Sequence, residues 1–537
     1  MAGWRICMAD ERNGMAITGN RRMTEALFLV LSAFVLMMLS TRSSFLYPCN
    51  DWNDANSYFS VGKALFHGKM PYRDVFDQKG MYLYFFYGLA YLISHTTFIG
   101  VFFMEVILAA FDLFGICRIL QLYVKRSTAL LLSPLVLAVT VSSYSFYWGG
   151  SAEEVILPFL IWGLYFSLDY FKNKYPCKKM EWKVIFINGL LAGMVANIKF
   201  TSLGFFFAWM MCAAFSFLVK KDFGDAVKGC MIFLLGMAVP FVPWVIYFGI
   251  NHGLYEWYWG YVYINVFVYS NLNGEGPDLY ERVYTLSKLL YWVIRKNMIY
   301  FVFLIPGVLW DLSGRKKWLE RFNLLALCFF LFLGIYVGGS ELPYYALPLS
   351  VFTVQGFGLL GHVSERLFAA IRNRKKTDGR ERAASGSPVM TGSAWSNPGL
   401  GFAAGAVAMA LGMGIIFTNS MNISHMQEKK EDIFLYKFKK IVEQTPAPTL
   451  LNIGCLDAGL YTVCDIVPSC RWFQTQTLGI DDVLKEQERY IREGQVSYVL
   501  ARDSYPDVIW EKYELAGEEP WHQGEQEFTY YLFRRRA

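Results

Sequence analysis

NDWNDANSYFSVGKALFHGKMPYRDVFDQKG, running from Asn50 to Gly80, is the stretch on which the reading of this chain turns. An apolar run precedes it and several more follow. Within it lie the carboxylates Asp51, Asp54, Asp74 and Asp77, the bases Lys63, Lys69, Arg73 and Lys79, and many aromatics. A loop that merely joins two membrane spans needs none of these. The stretch reads as a working surface that the rest of the chain holds at the edge of a bilayer.

Composition makes the bilayer the solvent. Of 537 residues, 55% are hydrophobic, 18% aromatic and only 18% charged, and the mean hydropathy is +0.30. That is too apolar for a soluble protein and fits a polytopic membrane protein. A helix needs about 20 apolar residues to cross the hydrocarbon. Runs of that order fall near 24–42, 99–123, 128–147, 155–171, 184–198, 200–218, 229–249, 297–311, 322–338, 343–361 and 400–418, about 11 transmembrane helices by the same length rule. The run from Thr24 to Ser40 is long enough to span and lacks a small-residue cleavage site after it, so no cleavable signal peptide is expected.

Charge sets the expected orientation. Short cytoplasmic loops carry the excess Lys and Arg. With the N-terminus inside, because of Arg5, Arg12, Arg21 and Arg22, eleven spans put the basic links inside as well: Lys125 and Arg126, the lysines from Lys172 to Lys183, Lys220 and Lys221, Arg315 to Arg321, and Arg366 to Arg382. Counting 81–96 as a full crossing would put them all outside. That segment is therefore expected to lie in, or dip into, the outer interface. The expected location is the plasma membrane, multi-pass, with a cytoplasmic N-terminus.

This parity divides the chain at 419. Residues 1–419 form the membrane domain, with a first outer loop at 43–98 and a second, aromatic-rich outer loop at 251–296 whose NLNGEGP turn cluster is expected to be mobile. The basic, Gly/Ser-rich stretch 364–399 is expected to be a disordered cytoplasmic loop. Residues 420–537 are soluble in composition, with 14 Lys and Arg against 19 Asp and Glu, and read as a small extracytoplasmic α/β domain. Strands are expected at Thr449–Cys455, Ser497–Ala501 and Phe528–Phe533, and a helix at Ile480–Arg492. The ten cysteines form no CxxC pair. An outside location permits a disulfide among Cys455, Cys464 and Cys470. No catalytic constellation is visible in this domain, which reads as a structural or acceptor-docking appendage.

In the first outer loop, Asp54 is followed by Gly62, Gly68 and PYRDVFDQKG (Pro71–Gly80). This pattern resembles the bacterial GT-C membrane glycosyltransferases related to protein O-mannosyltransferases and lipid A aminoarabinose transferases, which are glycosyltransferase family 39-like. In that family an early Asp of the first outer loop precedes a Gly-x-PYRD-x-x-D-x-K-G/P-P segment. The match covers the N-terminal half, and the later spans match by architecture only. Met81 departs from it, standing where the family usually has Pro.

The resemblance implies an inverting transferase of α-helical GT-C type. It would move a sugar from a polyprenyl-phosphate donor to an envelope glycan, lipid or protein acceptor on the outer face. Asp54 would be the general base, with Asp51 the runner-up. Capping of the helix that follows is the plainer role of Asp54, and the two roles can coexist. Lys79, Lys199, Arg73 and Tyr345, beside Tyr344, would serve the donor phosphate. Snorkelling or interfacial anchoring are the plainer readings of the lysines and tyrosines. Glu153 and Glu154, in WGGSAEE, with Asp77 and Tyr58, would contact substrate. No cofactor or metal is expected, although Asp54 with Glu153 or Glu154 has the oxygen chemistry for a divalent cation. The rival readings are a transporter or flippase of lipid-linked sugars, for which Glu105, Asp112 and Arg118 of the second span could form an ion path, and a non-catalytic envelope assembly protein.

Overall fold

The computed structural model describes residues 19–268, 279–313, 317–380, 398–477, 481–523 and 526–536. Among them, eight helices are long and apolar enough to cross a membrane: Arg22–Ser40, Ile99–Leu120, Ala152–Lys174, Phe200–Leu218, Phe223–Ile250, Trp318–Tyr336, Pro343–Ile371 and Gly401–Asn419. The remaining predicted spans map onto the shorter apolar helices Arg126–Val141 and Trp182–Ala196, and onto Met298–Ser313, which meets Tyr280–Lys296 at 110°. Each expected apolar run is thus helical, as a multi-pass membrane protein requires.

Polar contacts gather at the two ends of the bundle. At one end, Arg126 pairs with Glu25, the Lys125 amide donates to Glu365 at 2.9 Å, and Lys172 meets Asp311 at 3.1 Å. At the other end, Asn422 donates to the carbonyls of Ser40 and Tyr147, each at 2.7 Å, and Arg42 N–H reaches the Trp148 carbonyl at 2.9 Å. The first outer loop, the 147–151 turn, the 197–199 link and the C-terminal domain all gather there.

The segment 81–96 forms a helix, Met81–Ile93, of 13 residues. At 1.5 Å per residue this is about 20 Å, short of the hydrocarbon thickness. Both its ends meet the same end of the bundle. Gly80 N–H donates to the Ile198 carbonyl at 3.1 Å, and His95 approaches Asp465 of the C-terminal domain at 3.6 Å. Met81, the departure from the family pattern, is the first residue of this helix, a position where Pro is also well tolerated.

Two expectations are revised. The helix that opens at Thr353 continues to Arg380, into the 364–399 stretch expected to lack order. Its apolar first half packs in the bundle and seeds the basic turns that follow, where helix formers such as Arg, Lys and Ala are frequent. The second outer loop, expected as turn and aromatic anchor, is helical at Tyr258–Val268 and Leu279–Lys296. The Asn271–Gly276 cluster lies outside the described residues.

The C-terminal domain carries a four-stranded sheet: β1 (Leu450–Ile453), β2 (Tyr498–Arg502), β3 (Tyr513–Gln523) and β4 (Gln526–Arg535). The order is β1-β2-β4-β3, with β1 and β2 parallel and the other pairs antiparallel. Helix Asp481–Glu493 falls where it was expected. Strand β3 was not foreseen, because YELAGEEPWHQ has Pro, Gly and three Glu in place of apolar alternation. Those residues are tolerated at a sheet edge, and a bulge falls between Leu515 and Gly517. Cys455, Cys464 and Cys470 are free thiols.

Candidate active site

The first outer loop owes its shape to buried tyrosines. Helix Asn53–Phe66 starts after Trp52, and no side chain caps it. Asp54 stands in its first turn and accepts hydrogen bonds from Tyr344 Oη at 2.8 Å and Tyr58 Oη at 3.2 Å. The capping role is thereby not the one the carboxylate plays. Burial pushes the Tyr58 hydroxyl well above its ordinary pKa, so it stays a proton donor toward Asp54.

Downstream, the Asp77–Gly80 turn is clamped on both sides of Lys79. Lys79 N–H donates to Tyr84 Oη at 2.7 Å, and its carbonyl accepts from Tyr72 Oη at 2.6 Å. Tyr84 in turn donates to Asp77 at 2.8 Å. Burial raises the Asp77 carboxyl, with Lys79 opposing the shift. A side chain at Gly80 would put its Cβ 2.0 Å from the Asn197 carbonyl oxygen, so only glycine lets the turn lie against the 197–199 link.

These pieces enclose a cavity of about 610 Å³. Asp54, Tyr58, Asp77 and Lys79 line one side, Tyr344 and Tyr345 another, and Cys455, Gln476 and Arg502 of the C-terminal domain close it. Five of the residues singled out in the sequence thus share one wall system with Tyr345. The Lys79 ammonium lies 6.0 Å from the Tyr58 ring centre.

Other candidates fall elsewhere. Lys199 forms a buried ion pair with Glu153 and lies over the Tyr345 ring at 3.8 Å and the Tyr344 ring at 5.4 Å, behind the cavity wall. Glu154 is turned back into its own helix start, where it accepts from Gly150 N–H at 2.7 Å. Asp51 pairs with buried Arg42 at 2.8 Å and accepts from Trp521 Nε1 at 3.0 Å. Arg73 pairs with Asp74 at 3.0 Å and donates to the Asn251 carbonyl, away from the cavity. Lys296 pairs with Glu341, itself a lining residue. Glu105 of the second span accepts from Thr41 at 2.8 Å. Among the described residues, no three His, Cys, Asp or Glu side chains converge as a metal site.

The C-terminal residues of the cavity were not foreseen. They are held by a stripe along one face of helix Asn53–Phe66. Asn56 accepts from Thr462 at 2.9 Å, Ser57 donates to Gln474 at 2.7 Å, Ser60 to Asp457 at 2.6 Å, and Lys63 to the Tyr461 carbonyl at 2.9 Å while pairing with Asp465 at 3.1 Å. The spacing 56/57, 60, 63 is one helical face. A polar stripe on an otherwise apolar helix was the available signal for a docked partner domain.

No protein-family model matches the chain, and no curated protein matches it in sequence. In structure it is similar to ArnT from Cupriavidus metallidurans. The undecaprenyl-phosphate-bound form superposes at TM-score 0.56 with 10% identity, over 96% of this chain and 98% of that one. The apo form gives TM-score 0.57 and 12% identity over the same shares. The oligosaccharyltransferase of Archaeoglobus fulgidus, tethered with an acceptor peptide, gives TM-score 0.46 and 11% identity over 95% of this chain and 74% of that one. The ArnT superposition establishes a shared fold over nearly the whole length of both chains.

Proposed function

We propose that this chain is an inverting glycosyltransferase that moves a sugar from a polyprenyl-phosphate donor to an acceptor hydroxyl, on the outer face of the cell membrane. The observation that carries the reading is Asp54: a half-buried carboxylate, oriented by two tyrosines, on the wall of a cavity that also holds Lys79. The ArnT structure with which the fold superposes contains undecaprenyl phosphate, the donor's leaving group in this reaction.

In the proposed step the acceptor oxygen attacks the anomeric carbon from the face opposite the phosphate. Its proton passes to Asp54, a contribution typically of 10²–10⁴-fold. The anomeric C–O bond breaks and its electron pair leaves on the phosphate oxygen. Tyr344 and Tyr58 aim the Asp54 carboxylate. Lys79, and Arg502 from the C-terminal domain, supply positive charge where the phosphate charge grows. Lys199 acts at one remove, by holding Tyr344 and Tyr345. No metal is assigned to this step.

Purified protein supplied with a polyprenyl-phosphate sugar is expected to release polyprenyl phosphate in an acceptor-dependent manner. Absence of release with every such donor, in protein that remains folded, would remove this reading.

A further inference from the structure

We infer that the chain carries a second, carbohydrate-binding site, a groove between the Leu254–Val268 segment and the C-terminal domain that takes a neutral saccharide chain. The proposal deepens the transferase reading and rests on it for the identity of the occupant as the acceptor.

The groove has a volume of about 540 Å³ and lies apart from the catalytic cavity. Tyr255 and Trp259 come from the membrane domain, and Trp472 and Tyr490 from the C-terminal domain. Arg471 stacks against both tryptophans, its guanidinium carbon 5.6 Å from the Trp259 ring centre and 5.0 Å from that of Trp472. Interfacial anchoring explains aromatics that face lipid. It does not explain Trp259, which faces a soluble domain.

The polar groups complete the chemistry. Glu256 Oε2 and Arg471 Nε are both buried and have no hydrogen-bond partner among the described residues. Buried polar atoms are rarely left so. A sugar hydroxyl both donates and accepts, so hydroxyls suit carboxylate oxygens and guanidinium N–H groups alike, while the C–H face of a pyranose packs on an aromatic ring through its electropositive hydrogens. The remaining charged lining residues are Asp482, Lys485 and Glu486. Both signs are interleaved, with acids in excess. The excess of acids disfavours an anionic phosphate, and a lipid tail would strand the charges. Hydroxyls suit the mixture.

The groove is one residue away from the chemistry. Phe76 packs on Trp472 at 4.6 Å and on Trp259 at 5.6 Å between ring centres. Its N–H donates to the Arg471 carbonyl at 2.9 Å, and its own carbonyl accepts from Gln476 Nε2 at 3.1 Å. Gln476 and the next residue, Asp77, line the catalytic cavity. Phe76 is itself fully buried, so it stands as a shared wall between the groove and the catalytic cavity.

The test is direct binding of chitohexaose, mannohexaose and cellohexaose to the full-length protein in nanodiscs, by saturation-transfer NMR and calorimetry. At least one hexasaccharide is expected to bind. Trp259→Ala and Glu256→Gln should each weaken it by tenfold or more, and Trp259→Phe should restore most of it. Failure of all three to bind, or binding indifferent to both groove variants, would each overturn the proposal. Polyprenyl phosphate release on the same preparations separates the two readings. Release without saccharide binding removes the groove and keeps the transferase, and binding without release does the reverse.

Discussion

Tyr344 Oη lies 2.8 Å from Asp54 Oδ2, joining residues 290 positions apart in the chain. A hydrogen bond to a charged group contributes roughly 1.5–3 kcal/mol. Tyr344→Phe removes that bond and keeps the ring, which also packs at 4.9 Å on Trp52. Transfer is expected to fall about tenfold to a hundredfold by that energy, with expression unchanged. A steady-state rate within twofold of the parent would show that Tyr58 alone suffices.

Asp54 and Asp51 should separate cleanly. Asp54→Asn keeps the shape and removes the base, so transfer should drop by about two orders of magnitude or more in a stable protein. Asp51→Asn breaks the buried pair with Arg42. Breaking such a pair costs about 3–5 kcal/mol, so the expected result is a lowered melting temperature with near-normal turnover in the folded fraction. The opposite pattern would move the chemistry to Asp51.

For the Lys199–Glu153 pair, Lys199→Met and Glu153→Gln each leave one buried charge alone, and each should destabilise strongly. The double variant Lys199→Met/Glu153→Met should recover most of the stability. Because Lys199 stands behind the tyrosines and not on the cavity wall, the double variant should keep transfer within about tenfold, one decade being 1.4 kcal/mol. A well-folded double variant without donor turnover would place Lys199 on the phosphate.

Asp457 gives docking of the C-terminal domain a pH dependence. It is buried against Ser60, and burial raises its pKa from 3.8 to about 6. Its neighbours are Lys63, which lowers it, and Asp465, the partner of that lysine. A carboxyl raised in the folded state folds more favourably when protonated. Its penalty is absent below the unfolded value, grows between about 4 and 6, and is full above, on the order of 3 kcal/mol at 1.36 kcal/mol per unit. Asp457→Asn should therefore melt higher than the parent at pH 7, and the difference should shrink as pH falls to 5. A constant difference across that range would exclude this linkage.

Transfer is expected to persist in excess chelator, because Lys79 and Arg502 stand on the cavity wall as fixed charges for the leaving phosphate. Arg502→Gln should lower transfer under the same conditions. Loss of activity on chelation, restored by Mg²⁺ or Mn²⁺, would assign Asp54 to a metal.

What the sequence determined by itself was what bilayer physics enforces locally. An apolar run in hydrocarbon must be helical, because no water is present to satisfy its backbone. The first-loop carboxylates and bases were legible for the same reason, since interfacial charge without a structural need stands out. Which of them meet was decided only by the tertiary structure. Asp51 and Asp54 are three residues apart, yet one faces Arg42 and the other Tyr344, because the chain enters the helix between them at Trp52. Nothing local could reveal that Arg502 and Gln476 close the cavity. Their place is fixed by polar contacts from Asn56, Ser57, Ser60 and Lys63 to residues about 400 positions away, and contacts at such separation exist only once the whole bundle has packed.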